Sequence, residues 1–130
     1  MTPFLAFYRK LAVVQTILTG ILGTGCVLIA GLLLDFFGMT NDASGVLLMR
    51  AFGAGVLWVA MIHWFTRGTN EVAVARGVCL GNVLEDGLLC VLSTLATLNG
   101  TLHWTGWLLA ATFGGEVLVN LYALSLIKRG

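Results

Sequence analysis

Four long apolar runs separated by short polar stretches fill almost the whole chain. They cover residues of about 11–37, 46–65, 72–95 and 104–127, and each is long enough for a helix crossing the ~30 Å hydrocarbon core of a bilayer. Between them, the stretch 38–45 with Asn41, Asp42 and Ser44, the stretch 66–70, and Asn99-Gly100-Thr101 have the composition of turns. Ahead of the first run, Phe4, Phe7 and Tyr8 beside Arg9 and Lys10 predict a short interfacial turn leading into the membrane. The pattern predicts an all-α protein, a four-transmembrane-helix up-down bundle forming one integral membrane domain over residues 1–130.

Composition narrows the class further. At 58% hydrophobic and 10% charged residues, the chain has too little polar surface to coat a soluble globule of its size. A net charge of +1, with the basic residues scattered in ones and twos, argues against a nucleic-acid partner. Cys26, Cys79 and Cys90 fall inside the apolar runs without ligand spacing and read as small apolar side chains. Arg9, Lys10, Arg67, Arg76, Lys128 and Arg129 collect at one side of the predicted topology, and Asp35 and Asp42 at the other, so both termini are expected to be cytoplasmic. Arg50 is the exception.

The chemistry concentrates in the third and fourth spans. Gly81-Asn82-Val83-Leu84-Glu85-Asp86-Gly87 places two adjacent acids and an amide in mid-span, where charge is expensive and faces protein, water or ligand. At 1.5 Å rise per residue, Glu85, Asp86 and Glu116 all fall near the midplane, and Asn82 and Asn120 lie at matching depth on the cytoplasmic side of them. Ala73, Gly77, Gly81 and Glu85 form one small-residue stripe, a surface that lets helices approach closely. Asn82, Asp86, Ser93 and Thr97 form a second, polar stripe, with Thr112, Glu116 and Asn120 as its counterpart on the fourth span. Three carboxylates in one low-dielectric place demand compensating charge, and Arg50 is the cation placed to extend toward them. Asp86, Glu85, Glu116, Asn82, Asn120 and Arg50 are therefore the candidate ligand- or proton-binding residues. The same groups also read as hydrogen-bonding glue between helices.

His63, beside Trp58 and Trp64, is a candidate cofactor ligand for haem or a chlorophyll-type pigment, or else an interfacial hydrogen-bonding residue. No phosphate loop, nucleophile elbow or zinc motif is present, so no catalytic or metal residue is assigned and an enzyme is the less favoured class. The run Leu48-Met49-Arg50-Ala51-Phe52-Gly53-Ala54-Gly55, then Ala75-Arg76-Gly77, Gly81-Asn82 and Gly106-Trp107, resembles the small bacterial four-helix membrane proteins of the DoxX-like type over about residues 46–127. That resemblance implies a fold and a bacterial inner-membrane location more than an activity, and the Glu85-Asp86 pair departs from it. Two functions follow as expectations. One is an accessory or scaffold subunit of a larger membrane complex, holding lipid, quinone or pigment against other subunits or further copies of itself. The other is a proton- or cation-coupled transport or small-ligand-binding bundle using the midplane carboxylates.

Overall fold

A computed structural model describes residues 1–129, with side chains described for residues 1–127, so the side chains of Lys128 and Arg129 and all of Gly130 lie outside the described residues. The described chain is helical throughout: α1 (Pro3–Leu28), α2 (Ala30–Phe37), α3 (Ala43–Thr66), α4 (Val72–Leu98) and α5 (Gly106–Ser125), closed by a 3-10 turn at Leu126–Arg129. Helices α1, α3, α4 and α5 are each long and apolar enough to cross a membrane. The large number of exposed Leu, Ile, Val, Phe and Trp side chains over their outer faces suits lipid and not water.

The first helix differs from the expected one at both ends. It begins at Pro3, where the Thr2 hydroxyl caps the Leu5 N–H at 3.3 Å and proline occupies the first turn, which needs no N–H donor there. Phe4, Leu5, Tyr8, Leu11, Ala12 and Gln15 recur at three- and four-residue intervals and are all buried. The segment read as an interfacial turn is thus a core helix end. At the other end the helix breaks at Ile29, whose φ of -121° and ψ of 36° are not helical. The chain resumes as α2 and stops at Gly38, which takes the left-handed conformation (φ 72°) that glycine adopts without a side-chain penalty. The carbonyls at the end of α2 are held by the α4–α5 connection: Phe37 O accepts the His103 N–H at 2.9 Å, and Phe36 O accepts the Thr105 hydroxyl at 2.7 Å.

Packing is uneven. Helix α1 lies along α3, and α4 lies along α5. Tyr8 meets Thr66 through their hydroxyls at 2.6 Å, while Gly23 meets Gly53 and Leu57 further along, so α1 and α3 run in opposite directions. In the second pair, Asn82 reaches Asn120 and the Cys90 thiol reaches the Ala110 carbonyl, which gives the same antiparallel sense. Contacts between α3 and α4 are sparse. At one end α1, α4, α5 and the terminal turn close around Phe4, Tyr8, Leu11, Ala12, Ala75, Cys79, Ala123 and Leu126. Toward the other end the helices separate around an apolar chamber.

The α1–α3 crossing depends on two glycines. A Cβ on Gly53 would stand 2.7 Å from the Cys26 Cβ and 2.8 Å from the Gly23 carbonyl oxygen, and one on Gly23 would stand 2.9 Å from the Gly53 oxygen. Gly55 faces open space. Thermal unfolding in mild detergent is expected to show Gly53→Ala destabilised by about 1–3 kcal/mol through overpacking. Gly55→Ala should be unchanged or more stable by up to about 1 kcal/mol, the difference in helix propensity.

Candidate functional site

One polar layer joins all four long helices. Gln15 of α1 donates from Nε2 to Glu116 Oε2 of α5 at 2.7 Å. Asn82 of α4 reaches Gln15 Oε1 at 3.4 Å and Asn120 Oδ1 of α5 at 3.3 Å from its Nδ2. His63 of α3 sets its Nε2 3.0 Å from Asn82 Nδ2 and 3.3 Å from Asn82 Oδ1. Asn120 turns its own Nδ2 back to the Glu116 carbonyl at 2.8 Å. Gln15 and His63 are 2% and 1% exposed, and Asn82 and Asn120 are also buried, so an unmet bond here has no water to replace it.

The hydrogens can be counted. Asn82 Nδ2 carries two and faces three acceptors, and Asn82 Oδ1 needs a donor. Giving the two hydrogens to Gln15 and Asn120, and letting His63 Nε2–H donate to Asn82 Oδ1, satisfies every one of these oxygens. In that arrangement His63 Nδ1 is a bare acceptor, and in the structure it is buried without a partner.

Beside the layer lies a small cavity of about 40 Å³, lined by Gln15, Thr19, His63, Asp86, Glu116 and the side of Glu85, among others. Leu22, Leu89 and Phe113 line this cavity and also a much larger one of about 640 Å³, so the two are contiguous across these three side chains. The larger chamber is bounded by apolar residues from α1 to α5, with Asp42 and Ser93 among its few polar neighbours. Leu48 of α3 and Leu92 of α4 both line it while being 70% and 60% exposed, which places its opening between those two helices.

Several candidates sit differently from their expected places. Glu85 is exposed, and so are Ala73, Gly77 and Gly81, so the small-residue stripe packs against no helix of this chain. Helical phase separates the Glu85 stripe from the Asp86 stripe without showing which of the two is turned inward. Arg50 is exposed near the start of α3 and lies outside the lining of the small cavity, so it is not the counter-charge for the acids. Thr112 is exposed and returns its hydroxyl to the Leu108 carbonyl at 2.7 Å, so the polar stripe of α5 ends at Glu116. His63 is buried among the helices one turn before the end of α3, where it meets Asn82. Its Nε2 is committed to Asn82, which leaves Nδ1 as the ring nitrogen open to a ligand.

Asn82, Asn120, Asp86 and Glu116 are brought together. Gln15 of α1 joins them, although no acid or second amide on its own span marks it in the sequence. The available signal was its register with Phe4, Tyr8 and Leu11 on one buried face.

Comparison with protein-family models, with curated proteins and with solved structures returns no match.

Replacing Asn82 with leucine would leave Gln15, His63 and Asn120 each short of a partner. Asn82→Leu is expected to lower stability in detergent by about 1–3 kcal/mol, the cost of stranding buried polar groups. Glu85→Gln, on the exposed face, should shift it by no more than about 0.5 kcal/mol. Thermal melts of the two variants beside the wild type check both.

Proposed function

We propose that this protein is a four-span up-down membrane bundle, both termini cytoplasmic, that holds one lipophilic molecule in its apolar chamber with the polar end toward the Gln15–His63–Asn82 layer. The observation that supports this reading most is the chamber of about 640 Å³, which is of ligand size, apolar-walled and contiguous with a few converging polar groups. An opening between α3 and α4 would admit the ligand sideways from the bilayer. A lipid, a quinone or a pigment tail meets the requirement of a long apolar body. For the orientation, Arg9 donates to Asn70 at 2.7 Å and Arg67 stacks over Trp64 at 3.4 Å, so these cations gather at the closed end, and Asp35 and Asp42 stand at the chamber end. The DoxX-like resemblance is compatible with the bundle and says nothing of its ligand.

The exposed stripe of Ala73, Gly77, Gly81 and Glu85 favours a second reading, in which the bundle serves as an accessory subunit of a larger membrane complex. A carboxylate on a lipid-facing helix surface is costly, and an open small-residue face is where another membrane helix can seat. A chain that migrates alone in mild detergent, with no co-purifying partner, would count against this role.

The ligand reading is tested by native mass spectrometry of protein taken from membranes in mild detergent. The wild type should retain a lipophilic molecule in near-stoichiometric amount, Ala96→Trp, which fills the chamber, should lose it, and Ala54→Trp, on an exposed face of α3, should keep it. Equal retention by all three, or none by the wild type, would overturn the reading.

A further inference from the structure

We propose that the ligand of this chamber is a lipophilic amine, whose apolar body fills the large cavity and whose ammonium head enters the small one between His63, Asp86 and Glu116. The inference rests on the chamber reading and adds the chemistry of the head group. Three observations carry it. The first is size: about 40 Å³ holds a group on the scale of about three waters, since roughly 10–15 Å³ admits one, so an ammonium fits where a quinone ring does not.

The second is polarity. With the hydrogens of the layer placed as above, the groups around that cavity without a partner are acceptors: His63 Nδ1 is buried and unpartnered, Asp86 receives no hydrogen bond from the described residues, and Glu116 receives one side-chain donor, from Gln15. An ammonium brings up to three N–H donors and no acceptor, which complements this set. The third is charge. Asp86, Glu116 and the more exposed Glu85 share the cavity, and no described Lys or Arg lines it: Arg9 is held by Asn70, Arg67 by the Trp64 ring and carbonyl, and Lys10, Arg50 and Arg76 are exposed. A carboxylate left in a low-dielectric site without a cation is strongly penalised, and a well-placed ammonium that also donates hydrogen bonds offsets part of that cost. The described residues also offer no group of three or more His, Cys, Asp or Glu side chains suited to a metal ion, which leaves an organic cation as the better match. Asp42 at the rim of the chamber adds an acid on the approach.

The test compares octylamine with octanol, two probes of equal chain length differing in the head, titrated against the protein in lipid nanodiscs by calorimetry. The amine should bind at least about tenfold more tightly than the alcohol, the scale of one hydrogen bond to a charged group. Asp86→Asn and Glu116→Gln should erase that preference while alcohol binding, the control for a folded chamber, persists. Equal binding of the two probes by the wild type, or an amine preference that survives both substitutions, overturns the amine assignment and leaves the chamber reading standing. Binding of neither probe overturns both. The wild-type comparison decides the matter even where a variant fails to fold.

Discussion

The structure depends on one amide. Asn82 sits where α1, α3, α4 and α5 come within hydrogen-bond reach of a single side chain, and among the described residues no other touches a polar group from all of the other three. In lipid the helices gain nothing from hydrophobic association, because the tails outside are as apolar as the side chains inside. What sets the helices in register is therefore the combination of close backbone approach, at Gly23 and Gly53, and a polar layer whose members have no solvent to turn to. The glycines decide how near α1 and α3 come. The amide decides at what height α4 and α5 stand against them.

The layer also divides the interior into unlike halves. On one side, Phe4, Tyr8, Ala12, Cys79 and Ala123 fill the space between helices. On the other, Leu22, Leu89 and Phe113 floor a chamber that the protein's own side chains leave unfilled. Small residues permit contact at the closed end, while α2, displaced by the break at Ile29, lets the helices part at the open one. The acids lie at the boundary between the two, in the small cavity on the far side of that floor.

Much of this was legible in the sequence, for identifiable reasons. Four apolar runs of membrane length give four long helices, because length and hydropathy need no knowledge of neighbours. The meeting of Asn82 with Asn120 follows from equal depth on two antiparallel helices, which is arithmetic on a constant rise. Rotation about the helix axis is another matter. In a lipid-facing bundle apolar residues cover both the inside and the outside, so the face carrying Glu85 and the face carrying Asp86 look equally buriable until the partner helices are placed. The same ambiguity hid Gln15, whose value lies wholly in what α4 and α5 bring to it. The break at Ile29 carries no proline or glycine at the break itself, so nothing in the local sequence marks it, and α2 beyond it is tied at its far end to His103 and Thr105.

The uneven packing has a mechanical consequence. Two stiff antiparallel pairs, α1 with α3 and α4 with α5, are joined firmly at one end and only loosely along the seam between α3 and α4. The Asn82 layer stands nearer the joined end, and Leu48 and Leu92 stand at the open seam. The residues that hold the helices together thereby also fix the spacing of the two pairs where that seam begins.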